Sequence, residues 1–104
     1  MKKEQERVAE FMEDNDLGGT TAFRLLDLVS EVGEVAKDAT KTSEYGESPE
    51  DLDVKKDEIG DVLFSLLAVS NDLGIDAEEA FNDAIEKYEE RMNEKGDPGS
   101  GSHS

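Results

Sequence analysis

The chain has 104 residues and a mass of 11.4 kDa, the size of one domain with a modest core. Asp and Glu number 28 against 11 Lys and Arg, for a net charge of −17. A nucleic-acid backbone or an anionic membrane would be repelled, so neither is expected as a partner. Cysteine is absent and the one histidine is His103, beside the C-terminus. Disulfides and thiolate chemistry are excluded, and a histidine base is disfavoured.

The N-terminus has basic residues but lacks the apolar stretch of a signal peptide behind them. The longest apolar runs, residues 62–64 and 66–69, are far shorter than the roughly 20 residues that span a bilayer. We therefore expect a soluble, cytoplasmic protein. The excess of carboxylates also suggests a halophilic, salt-adapted surface, because concentrated salt screens such charges over a few ångströms.

Helix is the only regular structure that the pattern predicts. A first helix over about residues 3–15 ends before Gly18-Gly19. Thr20 or Thr21 caps a second helix that runs to about Thr42, and a polar loop follows over residues 43–47. The second helix carries one apolar stripe at helical spacing. Its members are Leu25, Leu28, Val29, Val32, Val35, Ala36 and Ala39.

Two further helix starts are marked by capping patterns. The run Ser48-Pro49-Glu50-Asp51 predicts a third helix to about Leu73, which Gly74 ends. The run Asp76-Ala77-Glu78-Glu79 predicts a fourth helix to about Lys95, which Gly96 ends. Residues 1–95 thus form the predicted domain, and the Gly/Ser/Pro-rich residues 96–104 form a flexible tail.

The third predicted helix is apolar around most of its circumference, because Phe64, Leu67 and Ala68 fall outside the stripe that includes Ile59 and Val62. Such a helix must be covered on two sides. We therefore predict an all-α bundle of four main helices, completed by a second copy as a homodimer or a pair of dimers. The alternative is a monomer with a well-buried central helix.

Two pairs of acids lie at the edges of the apolar helices. Glu31 and Glu34 are three residues apart, as are Glu58 and Asp61, so each pair lies on one side of its helix. Four such oxygen ligands would suit Mg²⁺ if the helices pack side by side. Acid pairs recur throughout this chain, however, so a solvated acidic surface is an equally open interpretation.

A glycine precedes the second acid of each pair. Gly33 and Gly60 each cost a helix about 1 kcal/mol relative to alanine. We expect that cost to reflect the close approach of a backbone or a ligand.

The sequence Ser30-Glu31-x-x-Glu34 followed by Glu58-x-x-Asp61 resembles the ExxE…ExxD pattern of MazG-like nucleoside triphosphate pyrophosphohydrolases. The surrounding run of residues 57–67 and the segment of residues 71–76 resemble the same family. The later Glu86-Lys87-Tyr88-x-x-Arg91 looks like its closing helix. The resemblance covers about residues 22–92.

The resemblance implies an all-α fold that assembles as dimers or pairs of dimers. It implies Mg²⁺-dependent hydrolysis of a nucleoside or deoxynucleoside triphosphate between the α- and β-phosphates, in nucleotide-pool house-cleaning. The products are the monophosphate and pyrophosphate. By carry-over, the Mg²⁺ ligands that act through a metal-activated water are Glu31, Glu34, Glu58 and Asp61. Mn²⁺ could substitute, and the cation would let an acidic protein bind a polyanion.

Lys87 and Arg91, four residues apart, are phosphate-binding candidates. Their alternative is salt bridging to neighbouring acids on the same helix. Ser30 departs from the family, in which many members have a glutamate directly before the first motif acid. That departure leaves open a non-catalytic helical dimer with a regulatory or partner-binding role. The preferred nucleobase is not predicted, although Phe64, Tyr45 and Tyr88 are aromatic side chains that could stack on one.

Overall fold

A computed structural model describes residues 1–96. The secondary structure within that range is helical, which confirms the all-α prediction. Of the predicted tail, residues 97–104 lie outside the described range. The helices are α1 (Lys2–Asp14), α2 (Thr21–Thr42), α3 (Lys56–Asp72) and α4 (Ala77–Lys95), with a 3₁₀ turn at Pro49–Asp51.

The predicted signals at the helix ends are largely confirmed. The Thr20 hydroxyl accepts a hydrogen bond from the Phe23 N–H at 3.2 Å. The Asp76 carboxylate accepts from the N–H groups of Glu78 and Glu79, at 3.0 and 3.2 Å. Gly74 follows the C-terminus of α3 with a φ of +67°, a conformation that favours glycine.

The predicted start of the third helix is wrong. The Ser48 side chain makes no capping hydrogen bond, and the helical turn it precedes ends at Asp51. Leu52 is extended, and α3 begins only at Lys56. The physical reason is a contact with the end of α2: the Thr42 hydroxyl accepts from the Asp53 N–H at 2.7 Å and holds this segment out of the helix.

Helix α3 is the central element, with α1 and α2 packed against it. The core lies between α1 and α3, where Val8, Leu67 and Ala68 form a buried cluster and Leu67 is only 2% exposed. Phe11 meets Phe64 edge-on beside it, with ring centroids 5.8 Å apart. Helices α1 and α2 thus cover two sides of α3, but Ile59 and Leu66 of α3 remain 55% and 45% exposed.

A polar clamp joins α1 to the connection between α3 and α4. The buried Gln5 amide donates to Asn71 Oδ1 at 3.1 Å and to the Ile75 carbonyl at 2.9 Å. Its Oε1 accepts from the Ala77 N–H at 2.8 Å, and Asn71 Nδ2 donates back to the Gln5 carbonyl at 3.0 Å. The clamp fixes the N-terminal end of α4 against α1.

The single chain exposes more surface than a folded monomer of its mass. Its accessible area is 7767 Å², against about 5,800 Å² expected at this size. Its radius of gyration is 16.8 Å, against roughly 13 Å for a compact domain of about 100 residues. No helix within residues 1–96 is long and apolar enough to cross a bilayer.

Part of the exposed apolar area lies on one side of the α2–α3 pair, which we call the apolar face. At about 100° per residue, its side chains point about a quarter-turn away from the contact between the two helices. Val29, Ile59 and Leu66 are 68%, 55% and 45% exposed. The members of the apolar face are Leu25, Val29, Val32, Ile59, Leu66 and Leu73.

Candidate metal and nucleotide site

Helices α2 and α3 run antiparallel, with contacts at both ends that fix their register. At one end the Thr21 hydroxyl and Arg24 Nε donate to Asp72 Oδ2, at 3.4 and 2.6 Å. At the other end the Thr42 hydroxyl forms hydrogen bonds with the backbone N–H and carbonyl of Asp53, just before α3. Between these ends, Glu31 and Glu34 on α2 come near the level of Asp61 and Glu58 on α3. The fold therefore brings both predicted acid pairs to one stretch of the helix pair.

These four acids turn away from the apolar face. Counting about 100° per residue from the α2–α3 contact, Glu34 and Asp61 rotate in the opposite sense to the apolar stripe, whereas Glu58 faces Asp38 across the contact. Glu31 and Glu58 are half-buried, whereas Glu34 and Asp61 are exposed. We call the surface formed by these four residues the carboxylate face.

Glu58 has an unpredicted partner, Asp38, which lies one turn after Glu34 on α2. A hydrogen bond to Asp38 raises the pKa of Glu58 to about 7, with smaller contributions from burial and from the negative charges of Asp38 and Asp57. Lys55 opposes the shift. The pair therefore holds a proton near neutral pH, which ordinary surface carboxylates do not.

One oxygen of Glu58 shows why a cation would suit this place. Its Oε2 is buried and receives no hydrogen bond, an arrangement that is costly when the group is ionised. In residues 1–96, no three acidic, histidine or cysteine side chains are gathered closely enough to hold a metal ion. Carboxylate oxygens are the donors that a hard divalent cation takes, and the assignment of the four residues of the carboxylate face as its ligands stays a prediction.

The close backbone approach expected at Gly33 and Gly60 is not present within the described residues. A Cβ added at either position would meet no atom within 4 Å. Both glycines are exposed. The expectation of a ligand at these glycines stays a prediction.

The two basic candidates lie on α4, which packs chiefly against α1 rather than α2. Lys87 Nζ lies 5.2 Å from the Tyr88 ring centroid. Within the part of the chain described, Lys87 forms no ion pair with acids of its own helix or with the carboxylate face. Arg91 is half-buried on the same helix. The single chain thus does not pair Lys87 with the carboxylates.

A cavity of about 290 Å³ opens between α1, α2 and α3 on the same side as the carboxylate face. Asp27 in its wall lies one turn before Glu31, and Ser65 lies one turn after Asp61. Phe64, an aromatic candidate from the sequence, also lines it. The full lining is Met12, Leu17, Gly18, Arg24, Asp27, Phe64, Ser65 and Ala68.

Arg24 closes one wall of this cavity through three contacts. It donates from Nε to Asp72, as noted above, and from Nη2 to the Leu17 carbonyl at 3.0 Å. Its Nη1 lies 3.8 Å from Met12 Sδ. No local pattern predicts this arrangement, because Arg24 and Asp72 are far apart in the chain.

Comparison with known proteins places the fold and these motifs in one family. Residues 20–95 match the family described as the MazG nucleotide pyrophosphohydrolase domain. The chain belongs to this MazG family. It is also 40% identical over 68 residues to the "Uncharacterized protein YpjD" of Bacillus subtilis (strain 168). That match covers 62% of the chain and 60% of YpjD, so the chain spans less than two thirds of this relative. No solved structure matches significantly.

The MazG match contains both acid pairs, Asp38 and the basic residues of α4, but begins after α1. The carboxylate face therefore belongs wholly to the shared domain. The cavity does not, because Met12, Leu17 and Gly18 precede the matched range. One wall of the cavity is thus supplied by a segment outside the family match.

Proposed function

We propose that this MazG-family protein hydrolyses nucleoside or deoxynucleoside triphosphates at the α–β phosphate bond, with Mg²⁺, to the monophosphate and pyrophosphate. The observation that carries the proposal is the carboxylate face, two acid pairs near one level of an antiparallel helix pair, within a MazG domain. A cytoplasmic role in nucleotide-pool house-cleaning accords with this reaction.

The residues proposed to hold the cation are Glu31, Glu34, Glu58 and Asp61. When bound, Mg²⁺ or Mn²⁺ would neutralise phosphate charge and activate water. Asp38 positions Glu58 and shares its proton at neutral pH. Lys87 and Arg91 are proposed to bind phosphate oxygens, which requires α4 of the same or a second chain to approach the carboxylate face.

We further propose that two chains pair through the apolar face, as a homodimer or as half of a homotetramer. The excess surface of one chain is about 2,000 Å² over a compact monomer. Two chains together carry an excess of about 4,000 Å², which lies within the total of about 2,000–5,000 Å² that obligate interfaces bury. Pairing of apolar faces leaves the carboxylate faces open to substrate.

The decisive assay is pyrophosphate release from a panel of standard and modified nucleoside triphosphates, with Mg²⁺ or Mn²⁺, at low and molar salt, with EDTA as control. Glu58→Gln and Asp61→Asn should each lower the metal-dependent rate by about 100-fold or more, because each removes a charged oxygen donor. Their circular dichroism should match the parent. The matched controls, Glu89→Gln and Asp83→Asn on α4, should keep full activity.

Three outcomes would contradict the proposal. Release of phosphate instead of pyrophosphate would mean cleavage of a different bond. Unchanged rates in both carboxylate variants would remove these residues from the site. If none of the triphosphates in the panel is hydrolysed, a non-catalytic dimer is favoured. Ser30→Glu would then test whether the missing glutamate is the cause.

Sedimentation tests the pairing separately. The parent should sediment as a dimer or tetramer at micromolar concentration. Ile59→Asp on the apolar face should shift it to the 11 kDa species, because a charge would be buried in the interface. Tyr45→Asp, a control change at an exposed residue of the loop after α2, should leave the assembly intact. A parent already at 11 kDa would refute the dimer.

A further inference from the structure

The inference concerns the base of the substrate, and it rests on the proposed function. Cleavage of an α–β phosphate bond requires the α-phosphate to lie at the carboxylate face. The nucleoside is bonded directly to that phosphate, so it must occupy the space next to this face. Sites for small ligands typically have volumes of about 300–1,000 Å³. The cavity of about 290 Å³ begins one helical turn, or about 5.4 Å, from Glu31 and Asp61.

Most side chains of the cavity wall can contact a ligand only through apolar atoms and not through hydrogen bonds. Met12, Leu17, Phe64 and Ala68 present largely apolar side chains. The Arg24 guanidinium is already bonded to Asp72 and to the Leu17 carbonyl, so it braces the wall. A flat, largely apolar base suits such a slot, and Phe64 provides an aromatic surface for it.

Two polar side chains of the cavity wall are available to bind a ligand. Asp27 and Ser65 lie on facing helices, and neither is in a hydrogen bond or ion pair within residues 1–96. Asp27 is exposed and its carboxylate accepts hydrogen bonds only, whereas the Ser65 hydroxyl both donates and accepts. A base edge that fits must therefore offer a donor to Asp27.

We infer that the cavity takes the nucleobase and that Asp27 accepts a hydrogen bond from its exocyclic amino group. Cytosine and uracil nucleotides provide a matched comparison, because at C4 cytosine carries an amino donor and uracil a carbonyl acceptor. A carboxylate facing the uracil carbonyl would bring two acceptors together with no proton between them. Asp27 thus determines specificity, favouring amino-bearing bases over uracil and thymine.

The experiment compares kcat/KM for dCTP and dUTP in the parent and in Asp27→Asn. The parent should prefer dCTP by about tenfold or more, as expected when a polar group is left without its partner. Asn is nearly isosteric and can donate to the uracil carbonyl, so the preference should fall at least about tenfold or reverse. Asp83→Asn, an exposed acid on α4, should keep the parent's ratio. An unchanged dCTP/dUTP ratio in Asp27→Asn would overturn the inference.

Binding of the monophosphates separates this inference from the proposed reaction. Amide chemical shifts of α2 and α3 are followed while dCMP or dUMP is added, with and without Mg²⁺. The expected result is stronger binding of dCMP, with the largest shifts near Asp27 and Ser65, and loss of the difference in Asp27→Asn. Equal binding of both nucleotides, or shifts confined to other surfaces, would refute the inference. Failure of all triphosphates in the assay, with this binding intact, would refute only the hydrolysis.

Discussion

Removing the negative charge at Asp38 tests the electrostatics of the carboxylate face most directly. Asp38→Asn keeps the size of the side chain but replaces the acceptor that holds the Glu58 proton with a neutral amide. The hydrogen bond to Asp38 is the largest reason that the Glu58 pKa rises from 4.5 to about 7, followed by burial and then by the negative charge of Asp38. We therefore expect the substitution to return the Glu58 pKa toward its ordinary range.

The sign of the effect on folding follows from proton linkage. The folded chain binds the Glu58 proton more tightly than the unfolded chain, so this group's stabilisation is complete below about pH 4.5. That contribution is lost as the pH rises through about 7. Other carboxylates have mostly finished titrating by about pH 6. The N-terminal amine, whose pKa is raised from 8.0 by Glu78 and Glu4, begins to titrate near the upper end of the measured range, so the difference between the parent and Asp38→Asn is what reports on Glu58.

The size of the effect on metal binding follows from the same pKa. With a pKa of about 7, Glu58 is ionised in roughly nine-tenths of molecules at pH 8 and one-tenth at pH 6. A cation that requires the ionised form should bind about tenfold more weakly at pH 6 than at pH 8. In Asp38→Asn, a larger fraction of Glu58 should be ionised at pH 6, so this dependence should weaken.

The measurements are Mn²⁺ binding by electron paramagnetic resonance and urea unfolding without metal, both at pH 6, 7 and 8. On going from pH 8 to pH 6 the parent should lose Mn²⁺ affinity, and on going from pH 6 to pH 8 it should lose free energy of unfolding. Both changes should be smaller in Asp38→Asn. Asp83→Asn, which removes one charge on α4, should behave as the parent does. If Asp38→Asn retains the parent's pH dependence in both measurements, the coupling between these two carboxyls is refuted.

Three stability predictions follow, each measured by urea unfolding at fixed pH. Gln5→Ala should lower the free energy of unfolding by about 3 kcal/mol, because three hydrogen bonds of about 1 kcal/mol each are lost. A loss no larger than in the exposed control Asn82→Ala would contradict it. Gly60→Ala should stabilise α3 by about 0.5–1 kcal/mol, since no atom crowds the site. Destabilisation would reveal crowding. Asp76→Ala should cost about 1 kcal/mol through the lost N-cap, and a smaller loss than in Asp83→Ala would refute this.

The helices could be predicted because their signals are local. Thr20 and Asp76 accept from N–H groups two or three residues ahead, a contact that the sequence itself specifies. The start of α3 could not be predicted, because the capping pattern at Ser48-Pro49 is satisfied by a single 3₁₀ turn. The competing contact joins Thr42 to Asp53, and it exists only once α2 and the following loop have packed.

The acid pairs at Glu31 and Glu58 could be proposed for the same reason, since the spacing of each pair lies within one helix. Asp38 could not be distinguished, because acids recur every few residues along this chain. Its role depends on facing Glu58 across two helices. Likewise Arg24 and Asp27 become cavity residues only through the packing of α1, α2 and α3.

The arrangement also explains why the acids interrupt the most apolar helices. With α1 and α2 flanking α3, the layer has two open faces, and the helical repeat sends apolar and acidic side chains to opposite ones. A net charge of −17 disfavours pairing of two chains wherever acids meet. The proposed pairing through the apolar face would keep the four acids of each chain away from those of its partner. Because apolar and acidic side chains lie on opposite faces, one helix pair can form an apolar contact on one side and a charged surface on the other.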